Sequence, residues 1–346
     1  MQSTLAWRQM VTDFVNLPAT NLDQPQRLNI KLPLATHQIR VQIANDFDDQ
    51  SLQLNELTIN QQPVYWQGQS TLILPAHQRR WSDWLSLPIV ANQWLTVTTA
   101  VTNSKPRTLM STKSQTIIQP DRPYFLGPCA IEVTRERPAK QLVCFGDSLT
   151  NQGYYSTALM QKLMTEQPDS WGLTNGGISG NRLLRDGHST SPWVASFGEA
   201  GLTRLQALLA SQPVDELVFM MGLNDLLHPG TGSPLNELPT ALAMIAGLKQ
   251  VQQLATKYHV NLWMMTITPF KGANEGAWTP AKEISRQTVN QWLLTQPQTL
   301  DVAKLVADQQ DDAYLAAAFD CGDHVHFSEA GGTVVGDWVY GQIQVN

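Results

Sequence analysis

Two textures divide the chain. Up to about residue 138, apolar and polar positions alternate with a period of two, and helical periods are almost absent. Leu28-Asn29-Ile30-Lys31-Leu32, Ile39-Arg40-Val41-Gln42-Ile43 and Leu52-Gln53-Leu54 alternate in this way. So do Thr71-Leu72-Ile73-Leu74, Leu85-Ser86-Leu87-Pro88-Ile89 and Leu95-Thr96-Val97-Thr98. Short strands separated by Asn, Asp, Gln and Pro predict an all-β, antiparallel sandwich or jelly-roll-like domain. From about residue 139, short continuous apolar runs alternate with helical periods. Buried strands are expected at 142–145, 173–175, 217–221, 262–268 and 302–306, and helices near 154–166, 199–211, 239–258, 281–294 and 330–342. This alternation predicts an α/β domain with a parallel sheet, helices on both faces and every strand's C-terminal end at one edge. Between the two textures, Pro120-Asp121-Arg122-Pro123 and Arg135-Glu136-Arg137-Pro138 are rich in proline and charge, with 124–133 expected to pair as a last strand of the first domain. The expected domains are therefore 1–138 and 139–346.

Composition narrows the classes. A chain of 346 residues fits two domains better than one, and 42% hydrophobic with 15% charged residues fits a folded protein. The balance of 23 basic against 29 acidic residues gives a net charge of −6, and the densest basic cluster is Arg79-Arg80. A nucleic-acid partner is excluded on that ground. No apolar run is long enough to span a bilayer. The start, Met1-Gln2-Ser3-Thr4-Leu5-Ala6-Trp7-Arg8, lacks a basic segment followed by an apolar one, so no signal peptide is expected and the cytoplasm is the expected location. Cys129, Cys144 and Cys321 form no CxxC pair and are expected as buried free thiols. Trp66, Trp81, Trp84 and Trp94 offer a sugar-stacking surface or, more simply, packing in the core or at a domain interface.

The chemistry gathers after the strands of the second domain. Ser148, in Cys144-Phe145-Gly146-Asp147-Ser148-Leu149-Thr150, follows the first strand on a strand-to-helix turn. Asn175-Gly176-Gly177-Ile178-Ser179-Gly180-Asn181 follows the second strand and Met221-Gly222-Leu223-Asn224-Asp225 the third. Cys321-Gly322-Asp323-His324-Val325-His326-Phe327 precedes the last helix. A serine hydroxyl is a weak nucleophile that needs a base, usually histidine, and the histidine needs an acceptor on its other nitrogen. Asp323 and His326 are close enough for one loop to hold both. An oxyanion then needs donors: a backbone N–H at a glycine after the second strand, an asparagine amide after the third, and the N–H of Ser148. The Gly-x-Ser-x-Gly elbow of the α/β-hydrolase fold is absent.

These four blocks, in this order, resemble the SGNH hydrolases, also called GDSL esterases and lipases. The resemblance implies a three-layer, flavodoxin-like catalytic domain. It implies Ser148 as nucleophile, Asp323 and His326 as its partners, and Ser148, Gly180 and Asn224 as oxyanion donors. Thr268-Pro269-Phe270-Lys271-Gly272, Trp278, Arg286-Gln287 and Val289-Asn290-Gln291-Trp292 resemble a branch of bacterial and fungal members with an N-terminal β domain. Ile39-Arg40-Val41, Asn45-Asp46-Phe47 and Ser82-Asp83 echo that domain more loosely. The chain departs from the family at Phe327, where proline is usual, at Ser328, where asparagine is common, and in 301–304, which lacks a second acidic residue.

The resemblance implies an esterase acting on short acyl esters, acetyl foremost, of a carbohydrate or other small alcohol. The alternatives are a lipase or lysophospholipase, and a glycan-binding protein with an idle hydrolase fold. Asp147 is expected to hold the serine turn, Asn224 has a helix-capping alternative, and Gly180 one of backbone conformation. His324 is the rival base. His188, Trp193, His228, Phe270 and Trp278 are candidates for the substrate pocket. No cofactor is expected, and no metal, because Asp323, His324 and His326 lack a further supporting cluster. The β domain is expected to cover the site, bind glycan or form a homodimer, and the sequence does not choose among the three.

Overall fold

A computed structural model describes residues 2–16, 25–102, 105–111, 117–118 and 124–343. The chain forms two compact units, Met1–Gln141 with Leu163–Asn175, and Leu142–Lys162 with Gly176–Asn346. The proline- and charge-rich 120–123 stretch lies outside the described residues.

The first unit is built from antiparallel sheets. In one, Gln93–Val101 lies between Gln26–Leu32 and Leu52–Ile59, with Val97 opposite both Leu28 and Ile59. Alternate positions along these strands (Leu28, Ile30, Leu32, Leu95, Val97, Ile59) are buried, as the period of two dictates. Each such side chain contributes about 1.5–3 kcal/mol of transfer free energy. In another sheet, Ala130–Arg135 runs antiparallel between Gln2–Gln9 and Thr36–Asn45. The opening strand, Gln2–Gln9, was not foreseen by the alternation. It also pairs in parallel with the later chain, Trp7 opposite Leu173. Asp169 ties that later segment to the unit, accepting from Arg135 Nη1 at 2.5 Å and from the Ala35 N–H at 2.7 Å. Trp66 is buried; the Arg40 guanidinium lies 5.0 Å from the Trp81 ring and 4.8 Å from Trp84, and Lys31 Nζ 5.8 Å from Trp94.

In the second unit the strands are parallel. Glu216–Met220 pairs with 142–146 on one side and Asn261–Met265 on the other, and Thr299–Leu300 follows at the edge. The central runs, 142–146 and 217–220, are buried on both faces, as the parallel arrangement requires, whereas Asn261, Leu262, Trp263 and Thr299 toward the edge are half-buried. Helices form at Tyr154–Glu166, Gly201–Ser211, Ala241–Tyr258, Pro280–Leu294 and Glu329–Gln342, close to the expected spans. The 302–306 run is a helix, Val302–Val306, and not the expected strand. Asp301 caps it by accepting the Lys304 N–H at 3.3 Å, and Val302, Ala303 and Val306 are buried. The sheet position is taken by Thr299–Leu300, just before the Asp301 cap. Cys129 and Cys144 are buried, whereas Cys321 is exposed, against expectation, on the loop before the last helix. Among the described residues no helix is long and apolar enough to cross a membrane.

Candidate active site

The serine turn is built by close backbone approach. Ser148 opens a one-turn helix, Ser148–Asn151, at the C-terminal end of Lys140–Gly146. Asp147 caps it, accepting the Leu149 N–H at 3.1 Å. This buried carboxyl is pushed up to about 7 by burial, partly offset by that hydrogen bond and the charge of His326. The loop after the second strand lies directly on this turn. Ile178 N–H donates to Gly146 O at 3.1 Å, Asn151 Nδ2 to Gly177 O at 3.1 Å, and Ser179 Oγ to Asn151 Oδ1 at 3.0 Å.

His326 Nε2 lies 2.7 Å from Ser148 Oγ, and His326 Nδ1 lies 2.7 Å from Asp323 Oδ2. The other carboxylate oxygen of Asp323 accepts the Val325 N–H at 2.9 Å and the His326 N–H at 2.8 Å. Burial alone would raise the Asp323 carboxyl. The His326 ring, these two N–H groups and the charge of His326 outweigh it and hold the group well below the usual carboxylate range. The loop is delivered by the helix that follows. Phe327 is fully buried, and Ser328 caps Glu329–Gln342 by accepting the Gly331 N–H at 3.0 Å. In that helix Gly332 and Gly336 face Tyr154, Tyr155 and Ala158 so closely that a Cβ at either would collide. Two of the three departures from the family pattern thus have structural work: Phe327 fills core and Ser328 caps the helix.

His324 is engaged elsewhere. Its Nδ1 lies 2.7 Å from Asp320 Oδ2, and its ring stands edge-on to Tyr314 with centroids 6.4 Å apart. The ligand atoms of Asp320, Cys321 and Asp323 lie within 4.8 Å of one another, but both carboxylates already serve histidines and backbone N–H groups.

Gly180 has φ +76°, and a Cβ there would run into the Phe197 ring, so both conformation and space require glycine. Next to it, Asn181 O accepts Asn224 Nδ2 at 3.0 Å, leaving the second amide hydrogen of Asn224 for another acceptor. Asn181 is held in turn: its Oδ1 accepts Arg204 Nη2 at 2.8 Å, and Nη1 and Nη2 of the same guanidinium reach Gly176 O and Gly146 O, each at 3.2 Å. Burial pulls Arg204 down to about 9, opposed by the charge of Asp147. Asn224 lies in Leu223–Leu227, which starts after Gly222 at φ +117°. Asp225 locks this helix onto the previous loop by accepting the Leu183 and Leu184 N–H groups at 2.6 and 3.0 Å.

The five residues picked out for chemistry thus fall into two groups on neighbouring turns: the hydrogen-bonded Ser148–His326–Asp323, and Gly180 with Asn224, linked through Asn181 O. The pocket candidates are more dispersed. His228 packs on Phe197, ring centroids 5.3 Å apart, with its pKa lowered to about 4 by burial and by the charges of Arg182 and Lys282. Trp278 donates to Glu283 at 3.3 Å, and Trp193 is half-buried before a 3-10 turn. His188 is exposed and bound to Glu237 at 2.5 Å. Phe270 is fully buried core. Phe197, Arg204 and Lys282 were not picked out from the sequence; nothing in their spacing separates them from ordinary helix and loop residues.

Residues 144–334 match the sequence model of the GDSL-like Lipase/Acylhydrolase family. No curated protein matches the chain in sequence. Solved structures similar to it include the native M. smegmatis aryl esterase, 18% identical with a TM-score of 0.44 over 59% of this chain and 98% of that one. The acetyl xylan esterase AlAXEase is 19% identical, TM-score 0.42, over 59% of this chain and 99% of its own. A carbohydrate acetylesterase family member from Sinorhizobium meliloti is 17% identical, TM-score 0.43, over 58% and 96%.

Proposed function

The chain belongs to the GDSL-like lipase/acylhydrolase family and is a carboxylic ester hydrolase, and on that premise we propose that it cleaves short-chain acyl esters, acetyl esters foremost, through an acyl-enzyme on Ser148. The observation that carries the reading is the unbroken chain Asp323–His326–Ser148, with both links at 2.7 Å. With Nδ1–H donating to Asp323, Nε2 is left to accept the serine proton. Ser148 Oγ then bonds to the ester carbonyl carbon, and its proton passes to His326. The carbonyl electron pair moves onto oxygen, facing the N–H of Ser148, the N–H of Gly180 and the free amide hydrogen of Asn224. Collapse breaks the carbon–alkoxide bond, and His326 returns the proton to the leaving alcohol. Water repeats the sequence on the acyl-enzyme and releases the acid.

Two features support this assignment of donors. Asn224 Nδ2 spends only one hydrogen, on Asn181 O. Gly180 is fixed with φ +76° by its own conformation and by Phe197. One such donor is worth about 3–4 kcal/mol in the transition state. The Phe197 ring fills the space on the Cβ side of Gly180, which supports a small acyl group there. Ser148→Ala tests the whole. It is expected to remove p-nitrophenyl acetate turnover by at least about a thousandfold while the circular dichroism spectrum is unchanged. Turnover kept within tenfold in a folded variant would refute the nucleophile.

A further inference from the structure

Lys282 lies in the first turn of Pro280–Leu294 and is 1% exposed. Its hydrogen-bond partners are all main-chain carbonyls. Nζ donates to Ala277 O at 2.7 Å, Pro229 O at 2.8 Å and Gly276 O at 3.2 Å, and approaches Leu227 O at 3.5 Å. Burying an ammonium costs free energy even when carbonyls satisfy it, and a methionine would fill the same space without that cost. The charge is therefore best explained by what it holds.

It holds two separated pieces of chain together. Leu227 and Pro229 carry the carbonyls at the C-terminal end of the Leu223–Leu227 helix, where intrahelical donors run out and a cation is favoured. Gly276 and Ala277 belong to the turn before Trp278. A five-residue helix cannot hold itself. Its start is gripped by the Gly222 turn and by Asp225 on the Leu183 and Leu184 N–H groups. Lys282 grips the other end. Asn224 stands within the first grip, three residues before the Leu227 carbonyl of the second, and its amide must sit within about 0.5 Å of its productive place to serve a developing oxyanion.

We propose that Lys282 is a positioning residue for ester hydrolysis: by tying the end of the Leu223–Leu227 helix to the 276–277 turn, it fixes the Asn224 amide against the oxyanion. The inference rests on the reading of Asn224 as an oxyanion donor. A lysine that only filled the core would lower stability when replaced, without regard to Asn224.

The test is a double-mutant cycle on p-nitrophenyl acetate with the full chain, using Lys282→Met, Asn224→Ala and the pair. Asn224→Ala should lower kcat by about a hundredfold. Lys282→Met should lower kcat about tenfold with KM within twofold, and in the Asn224→Ala background its further effect should be below about twofold. Lys282→Gln keeps an uncharged donor on a shorter arm and should fall between the two. It carries the same cycle if the methionine variant does not fold. An equal loss in both backgrounds, or no loss of kcat in a folded variant, would overturn the positioning role. An unchanged kcat in Asn224→Ala would instead overturn the reading of Asn224, and the two failures are separate results.

Discussion

Asp323→Asn separates two ways in which the acidic member could act. The Asp323 side chain is 48% exposed. If only its charge mattered, solvent would screen the effect to about 1 kcal/mol, roughly a fivefold loss. The hydrogen bonds around it argue for more. Oδ1 accepts the Val325 and His326 N–H groups at 2.9 and 2.8 Å, so an asparagine must keep its carbonyl oxygen there. Its NH2 then takes the place of Oδ2 and donates to His326 Nδ1. That forces the proton onto Nε2, which faces Ser148 at 2.7 Å and can no longer accept from it. Rotating the amide to restore the productive tautomer would break two backbone hydrogen bonds at about 1 kcal/mol each, which alone leaves about a thirtyfold loss. A full tautomer block is worth about ten-thousandfold. The expected fall in kcat for p-nitrophenyl acetate is therefore about a hundred- to ten-thousandfold, with the His326 proton on Nε2 by nitrogen-15 NMR. A loss below tenfold, or a retained Nδ1 proton, would refute the reasoning.

Two further outcomes follow from the same residues. Phe197→Ala removes the ring that stands over Gly180, and the ratio of kcat/KM for p-nitrophenyl hexanoate over acetate should rise about tenfold; an unchanged ratio would place the acyl group elsewhere. Asp147→Asn keeps the acceptor for the Leu149 N–H but removes a carboxyl that burial holds at about 7 against an ordinary 3.8. The folded chain binds that proton where the unfolded chain has lost it, so this group lowers stability as pH rises from about 4 to 7, by up to the order of 4 kcal/mol. Urea melts at pH 5 and 8 should show a shallower decline in the variant, with a residual slope from Asp225, which burial raises to about 6. An identical decline would show that Asp147 does not titrate in this window.

Much of the fold was legible because burial imposes a period. Strands with one buried face, such as Gln26–Leu32, announce themselves by alternation, and the helices of the second unit by their apolar spacing. Two features carried no such signal. Gln2–Gln9 has four consecutive buried residues, and its parallel pairing with Trp7 opposite Leu173 joins positions far apart in sequence. Val302–Val306 offers the same apolar, β-branched run as a strand, and only the Asp301 cap and a short preceding strand make it helical. The site behaved likewise. The residues proposed for the chemistry (Ser148, Gly180, Asn224, Asp323, His326) stand in short motifs. Residues that hold them, Arg204 and Lys282 among them, act through main-chain carbonyls or a single partner. Their identity follows from three-dimensional placement, which no local pattern encodes.

The two histidines of the 320–327 loop show how that placement decides chemistry. Asp320 accepts the Gly322 and His324 N–H groups and binds the His324 ring; Asp323 accepts the Val325 and His326 N–H groups and binds the His326 ring. Locally a similar device occurs twice, with four residues from Asp320 to His324 and three from Asp323 to His326, and each ring 2.7 Å from its carboxylate. Either could orient an imidazole. What differs is the backbone at His324 and the packing outside the loop. His324 adopts φ +62° and turns its ring toward Gly272 and Tyr314. His326 is followed at once by buried Phe327 and the Ser328 cap, so its position is set by the helix that begins there. That helix can approach the one after Ser148 only because Gly332 and Gly336 present no side chain to Tyr154 and Tyr155. A side chain at either glycine would push the helices apart and lengthen the His326–Ser148 bond while leaving both Asp–His pairs intact. On the reading of His326 as the base, helix packing two turns away is what brings the Asp-x-x-His pair, and not the Asp320–His324 pair, to Ser148.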